Sequence, residues 1–194
     1  MDWEARYKVG DMPWEKGQAH PALPDLLLGQ APAGAVLVPG CGTGHDVSAL
    51  AKRFPERLVV GVDIAESAVT AARARCQTQP NVRILHADFL ADSAVFAPES
   101  FGMLWEHTCF CAISPELRPA YAATAARLLV PGGILLGVFF LRLQRDGDGP
   151  PWNCPEPELY RHFEAHFEIN IIGPSPTTFP GREEEEFAVI MRRK

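Results

Sequence analysis

The sequence has no excess of basic residues, because 18 Lys and Arg stand against 24 Asp and Glu, for a net charge of −6. Affinity for a nucleic-acid backbone comes mostly from Lys and Arg, so nucleic acid is excluded as an expected partner. No stretch approaches the roughly 20 apolar residues that cross a bilayer. The first residues also lack a basic and then apolar signal. We therefore expect a cytoplasmic protein without a membrane partner, present as a monomer or a weak homodimer.

Cysteine is scarce, with five residues in the chain, and their odd number argues against a framework of disulfides. Cys109 and Cys111 have the spacing of a possible metal pair. However, a zinc site needs a second such pair or a matching pair of histidines, and the sequence offers neither. We predict no metal site and interpret these cysteines as small buried residues at a strand end.

Apolar runs that alternate with helical segments are what the sequence does contain, and such runs predict strands buried on both faces. They predict an α/β fold with a doubly wound, mostly parallel, seven-stranded sheet and an antiparallel edge strand. The chain of 194 residues fits one domain, with an α/β core at 35–194 and an N-terminal helical lid at 1–34. The expected strands are 35–39, 58–63, 82–86, 101–106, 134–141, 167–172 and 187–192.

Three glycines follow the first predicted strand, at Gly40, Gly42 and Gly44. Without a Cβ, a glycine backbone can adopt positive φ and can approach a ligand closely. In an open α/β sheet, ligands bind at the carboxyl ends of the strands, which is where these glycines lie. Taken alone, they are equally compatible with a tight turn that binds nothing.

Asp63 ends the second predicted strand, nineteen residues after Gly44, and Ile64 follows it. A carboxylate at that position can accept hydrogen bonds from both hydroxyls of a ribose. It can also cap the helix predicted to begin near Ala65, and the two roles are compatible. Together, the glycines and Asp63 predict a site for a cofactor that contains a nucleoside.

The spacing of the glycines distinguishes between two such cofactors. A dinucleotide fingerprint needs glycine at position 45, where this chain has His45. Asp46 would repel a pyrophosphate but could receive the cationic amino group of S-adenosylmethionine (SAM), directly or through water. We therefore predict SAM rather than NAD, with S-adenosylhomocysteine as the product.

The ends of the third and fourth strands complete the predicted cofactor site. Asp88 could bond the exocyclic amine of adenine and Phe89 could flank the ring, while Glu106 ends the fourth strand. With the Pro131-Gly132-Gly133 turn before the fifth strand, residues 35–192 resemble the class I SAM-dependent methyltransferases. The resemblance implies that fold and that cofactor.

Two segments resemble a narrower family, the thiopurine S-methyltransferases and halide or thiol methyltransferases. The residues from Glu106 to Arg118, E-H-T-C-F-C-A-I-S-P-E-L-R, are similar to the family pattern D-x-T-F-F-C-A-I-x-P-x-x-R. The lead-in around Trp14, M-P-W-E-x-G, and the later G-P-P-W also match. The resemblance implies that Trp14 covers the bound SAM and that Arg118 faces the substrate pocket. Their alternatives are a core aromatic for Trp14 and a salt bridge on the helix surface for Arg118.

Departures from the family pattern fall in the expected acceptor pocket, where Glu106 replaces Asp, His107 replaces an aromatic residue and Cys109 replaces Phe. We predict methyl transfer to a small soft nucleophile, a thiol or a halide, which needs little acid–base help. Arg118, His107 and Glu106 are the candidate catalytic residues; His107 could accept a thiol proton or could only shape the pocket. The alternatives are N- or O-methylation of a small metabolite and SAM binding without catalysis.

Overall fold

The computed structural model describes residues 1–92, 95–143 and 149–194. Its strands are β1 (Ala35–Pro39), β2 (Val59–Asp63), β3 (Val82–His86), β4 (Phe101–His107), β5 (Leu129–Phe140), β6 (Phe167–Pro174) and β7 (Glu186–Arg193). Its helices are α1 (Trp3–Val9), α2 (Leu23–Leu26), α3 (His45–Arg53), α4 (Glu66–Cys76), α5 (Arg118–Leu128) and α6 (Glu156–Phe163). In the described part of the chain, no helix combines the length and the apolar character that a membrane crossing needs.

The strands form one seven-stranded sheet in the order β3-β2-β1-β4-β5-β7-β6. Neighbours from β3 to β5 pair in parallel, whereas β7 pairs antiparallel with both β5 and β6. The predicted mostly parallel sheet with an antiparallel pair at one edge is therefore confirmed. The order of the chain reverses between β1 and β4, and ligands bind in the crevice that such a reversal opens.

Alternate residues of the central strands serve two apolar layers, as the pleat of a strand requires. In β1, Val36 and Val38 belong to the layer that includes Val47 of α3. Leu37, between them, belongs to the layer that includes Tyr121 of α5. Helices therefore cover both faces of the sheet, which explains why its central strands β1 and β2 are buried along nearly their whole length.

The largest difference from the predicted strand bounds has a local reason. The fifth strand begins at Leu129 rather than at residue 134, and so it contains the Pro131-Gly132-Gly133 segment. Its pairing with β4 jumps from Phe101↔Leu129 to Met103↔Ile134, so that segment forms an irregularity within the strand instead of a preceding turn. Helix α5 begins at Arg118, directly after a 3-10 turn at Pro115–Leu117.

Candidate active site

A cleft of about 700 Å³ lies at the carboxyl ends of β1, β2 and β4, beside the point where the chain order reverses. Its walls come from the glycine turn, from the ends of β2 and β3, from the loop after β4 and from the N-terminal segment, residues 1–34. This volume is in the range of sites for cofactors and small molecules. Predicted site residues that line the cleft are Trp14, Gly40, Gly42, Asp46, Asp63, Ile64, Asp88, Phe89 and His107.

The glycine turn between β1 and α3 has the backbone conformation that requires glycine. Gly40 has φ +55° and Gly44, the N-cap of α3, has φ +85°. An added Cβ at Gly40 would lie 2.9 Å from Sγ of Cys109, and one at Gly44 would lie 2.9 Å from Cβ of Ala72. The turn therefore leaves open backbone on its cleft side, where Gly40 and Gly42 line the wall, while Gly44 lets α3 and α4 pack closely.

Asp63 holds the turn and α4 together from the end of β2. Its Oδ2 accepts from the amide of Gly42 at 2.8 Å and its Oδ1 accepts from the amide of Ala65 at 2.9 Å. Burial raises the pKa of this carboxyl. A carboxylate has about four lone-pair positions, so two hydroxyl groups of a ligand could still bind it. The exposed side chain of Ile64 lines the cleft next to it.

Asp88 and Phe89 lie at the end of the cleft formed by the loop after β3. Oδ1 of Asp88 accepts from the amides of Leu90 at 2.8 Å and Ala91 at 3.1 Å, which fixes the direction of the carboxylate. Phe89 is buried and packs against Tyr121 with ring centroids 5.1 Å apart. The arrangement provides a carboxylate beside an apolar surface, as the sequence predicts for the adenine end of a cofactor.

Asp46, in the first turn of α3, is bonded by three donors of the protein. Its Oδ1 accepts from the amide of His20 at 2.8 Å, and its Oδ2 lies 2.9 Å from Nε1 of Trp105 and 2.7 Å from Nδ1 of His107. Burial acts to raise the pKa of Asp46, but His107 and the hydrogen bonds outweigh it and lower the pKa to about 2. Because Asp46 is ionised, Nδ1 of His107 carries the proton that it donates. Recognition of a cofactor amino group by Asp46 stays a prediction.

His107 belongs to a buried polar cluster that the sequence analysis missed. Its Nε2 is buried without a hydrogen-bond partner, and its ring lies 4.6 Å from that of His20. Nε2 of His20 lies 3.0 Å from Oε2 of Glu186, whose Oε1 accepts from Arg182 at 2.9 Å. Glu186 is the last of four consecutive glutamates, but it is 1% exposed and faces inward.

In the part of the chain that is described, His20, His107 and Glu186 form the one group whose possible metal ligands lie within 4.8 Å of one another. The hydrogen bonds of His20 argue against a metal there. Its Nδ1 accepts from the amide of Ala22 at 3.2 Å, so Nε2 carries the proton and has no lone pair for a metal. The cluster is therefore interpreted as a network of hydrogen bonds.

Two predicted catalytic residues do not reach the cleft. Arg118 is 1% exposed; its Nη1 donates to Glu158 at 2.7 Å and its Nη2 donates to the carbonyl of Trp152 at 3.1 Å. It forms an ion pair, as the alternative interpretation expected, but a buried one that ties α5 to α6. The side chain of Glu106 is also buried, and it turns back onto the loop that follows β4. A motif predicts which segment approaches a site, whereas local packing decides which way a side chain points.

The N-terminal segment is fastened to the glycine turn and to α4 by two carboxylates. Glu15 bonds the hydroxyl of Thr43 and lies 3.1 Å from Nε2 of His45, while Glu4 accepts from the amide of Ser67 at 2.9 Å. Trp14 lines the cleft and lies under the guanidinium of Arg6, which is 4.5 Å from the ring centroid. The bonds of Glu15 to Thr43 and His45 therefore hold its neighbour Trp14 beside the glycine turn.

Of the residues that sequence reasoning missed, Glu15 lies beside a local pattern, whereas His20 and Glu186 do not. Glu15 lies within the W-E-x-G lead-in, so its neighbour Trp14 is the signal that could have identified it. His20 and Glu186 are separated by 166 positions in the chain and meet only in the folded protein.

Solved structures with this fold include a SAM-dependent enzyme. The chain superposes with TM-score 0.76 on the 1,6-didemethyltoxoflavin-N1-methyltransferase of Burkholderia thailandensis, at 22% identity over 100% of this chain and 86% of the other. That structure contains S-adenosylhomocysteine. The chain therefore has the fold of the class I SAM-dependent methyltransferases.

Sequence comparison then defines the family. The family model for thiopurine S-methyltransferase matches residues 1–190, so the chain belongs to the thiopurine S-methyltransferase family. It is 40% identical over 153 residues to probable thiol methyltransferase 2 of Arabidopsis thaliana, and 39% identical over 155 residues to thiocyanate methyltransferase 1 of Brassica oleracea. Each match covers 77% of this chain and 66% of the relative, so the chain spans just under two thirds of the length of these relatives.

Proposed function

We propose that the protein is a SAM-dependent methyltransferase whose acceptor is a small soft nucleophile, most simply a thiol. The observation that carries the proposal is the glycine turn with Asp63 beside it, which forms one wall of a cleft of about 700 Å³. Membership of the thiopurine S-methyltransferase family supports the same donor.

Along the cleft, successive groups of residues would bind the ribose, the adenine and the methionine part of SAM. Asp63 would accept from the ribose, because half of its lone pairs are not taken by Gly42 and Ala65. Asp88 and Phe89 would receive the adenine. The open backbone of Gly40 and Gly42 would face the methionine part, where a Cβ at Gly42 would come within 3.3 Å of the Tyr7 hydroxyl.

The N-terminal segment would act as a lid over the donor. Trp14 lines the cleft, and its attachment through Glu15 to Thr43 keeps it near the turn. An indole placed there can exclude water and attract a cationic sulfonium.

The far end of the cleft would take the acceptor. Apolar side chains, including Ile113, Leu117, Phe140 and Trp152, form much of this wall, and Arg182 brings a guanidinium to it. A largely apolar wall with a guanidinium at its edge suits a soft anion such as a thiolate or thiocyanate. The relatives named for thiol and thiocyanate methylation support this choice.

For methyl transfer, the main tasks of the protein are to align the acceptor with the methyl donor and to exclude water. When bound, SAM supplies a methyl group activated by its sulfonium. A thiol with a pKa near 8.5 is already partly ionised at neutral pH, so a dedicated base is not required. Nε2 of His107 is buried, and therefore His107 is proposed to shape the wall rather than to take the proton of the acceptor.

Replacement of Asp63 by Ala should weaken SAM binding at least about tenfold, or roughly 1.4 kcal/mol, the scale of hydrogen bonds to a charged group. Isothermal titration calorimetry with SAM measures the effect, and far-ultraviolet circular dichroism checks that the variant folds. Asp25→Ala is the matched control, because Asp25 is exposed and does not line the cleft. A folded Asp63→Ala protein with unchanged affinity for SAM would refute the ribose role.

A further inference from the structure

We propose that Glu106 is a positioning residue that holds residues 108–114, here named the acceptor turn, in the geometry that aligns an acceptor with the methyl donor. The inference rests on the proposed function, because it concerns the acceptor end of the same cleft. Glu106 does not contact the cleft, but Thr108, Cys109, Cys111 and Ile113 of the acceptor turn line it. Glu106 would therefore act through the backbone of the turn.

The carboxylate of Glu106 is bonded by donors from two elements. Its Oε1 accepts from the amide of Cys109 at 2.9 Å and from the amide of Phe110 at 2.8 Å. Its Oε2 accepts from the hydroxyl of Tyr121, which is fully buried on α5. The side chain thus ties the backbone of the acceptor turn to the helix layer behind it.

The acceptor turn needs such a tie because its first residue has an unfavourable backbone conformation. Thr108 has φ +64°, in the left-handed region that β-branched residues rarely adopt. Such conformations cost on the order of 1–3 kcal/mol and persist where the surroundings hold them. The turn also orders the opposite wall, because the carbonyl of Cys111 accepts from the amide of Trp152 at 2.8 Å.

The carboxyl of Glu106 changes its charge near neutral pH. Burial raises the pKa of Glu106 to about 7, against the lowering effect of the bonds from Phe110 and Tyr121 and of the nearby His107. The groups that face it are Tyr121 from α5, His107 from β4, and the thiols of Cys109 and Cys111 from the turn. Of these, the two thiols and Tyr121 have raised pKa values and stay neutral near pH 7. Loss of the negative charge below pH 7 weakens the hold on both amides, because hydrogen bonds to a charged acceptor are stronger.

The kinetic test compares wild type with Glu106→Gln, which keeps the size of the side chain but removes its charge. Thiocyanate and 4-nitrothiophenol serve as acceptors, and S-adenosylhomocysteine release is measured from pH 6 to 8. We expect Glu106→Gln to raise the acceptor KM about tenfold, a scale that small misplacements can reach. The variant should keep the Kd of SAM within twofold of the wild-type value. In wild type, kcat/KM should rise through pH 7 even with an acceptor whose ionisation does not change there, and Glu106→Gln should lack this rise. Glu164→Gln, which removes the charge of an exposed glutamate outside the acceptor turn, is the control.

A second readout does not depend on activity. Hydrogen exchange at the amides of Cys109 and Phe110 is measured on the ligand-free protein, with intrinsic rates corrected for pH. Protection should fall about tenfold in Glu106→Gln and to a smaller extent in Tyr121→Phe. Unchanged protection, or a Kd of SAM that worsens as much as the acceptor KM, would overturn the inference. If wild type methylates no acceptor, the proposed function fails, while the exchange measurement still decides whether Glu106 holds the turn.

Discussion

Replacement of Asp46 by Ala is expected to lower the free energy of unfolding by about 4 kcal/mol, because three buried donors lose their acceptor. The change leaves three donors without their acceptor: the amide of His20, the indole of Trp105 and Nδ1 of His107. Each buried donor left unsatisfied costs about 1–3 kcal/mol. Urea denaturation followed by circular dichroism measures the loss.

The matched control for Asp46→Ala is Asp25→Ala, which removes an exposed carboxylate. Surface changes of this kind are usually within about 0.5 kcal/mol of wild type. If the two variants are equally stable, the network between the N-terminal segment, α3 and β4 does not contribute as its geometry indicates.

Asp46 should also determine part of the acid sensitivity. Its pKa is lowered from 3.8 to about 2 in the folded protein. A group with a lowered pKa stabilises the fold above its unfolded pKa, and that contribution is lost as pH falls through the folded value. Stability should therefore fall by about 2 kcal/mol more in wild type than in Asp46→Asn between pH 4 and pH 2. Parallel pH profiles for the two proteins would contradict the assignment of this effect to Asp46.

Replacement of Gly137 by Ala is the second change with a large expected effect, again about 4 kcal/mol. Gly137 of β5 lies opposite Glu106 of β4 in register. An added Cβ would lie 2.4 Å from the carbonyl oxygen of Glu106 and 2.6 Å from its Cβ. Because both strands are central in the sheet, the backbone cannot move aside without breaking its pairing.

Gly173→Ala provides the comparison, because a Cβ at Gly173 meets nothing within 4 Å. Denaturation midpoints in urea should place Gly173→Ala near wild type and Gly137→Ala far below it. Failure to obtain soluble Gly137→Ala while Gly173→Ala is soluble is the same expected result in a stronger form. Equal midpoints would show that the sheet accommodates a side chain at this position.

The sheet could be predicted from the sequence because each strand carries its own signal. The bounds of β1 agree with its apolar run, since a strand buried on both faces must be apolar throughout. Those of β3 agree as well, although β3 is an edge strand in which Arg83 and His86 are exposed. The start of β5 could not be predicted in the same way. Its Pro131-Gly132-Gly133 segment has the composition of a turn, and only the pairing of Leu129 and Ile134 with β4 on either side keeps it within a strand.

The cofactor side of the cleft was more predictable than the acceptor side. The glycines and Asp63 end adjacent parallel strands, and such strand ends meet at one edge of the sheet. The directions of Arg118 and Glu106 depend on partners from other elements, Glu158 and Tyr121, which no local pattern reveals. The same holds for His20 and Glu186, which form one cluster from opposite ends of the chain.

The central claim is that this cleft transfers a methyl group from SAM to a soft nucleophile, and the release of S-adenosylhomocysteine tests it most directly. Purified protein is incubated with SAM and, in separate reactions, with thiols, thiocyanate, halides, phenols and amines, and the product is quantified by mass spectrometry. Release should be fastest with thiols or thiocyanate, and Asp63→Ala should slow it at SAM concentrations below the wild-type Kd. Tight binding of SAM without release on any acceptor would instead indicate a binding protein, and release with amines or phenols alone would contradict the proposed acceptor class.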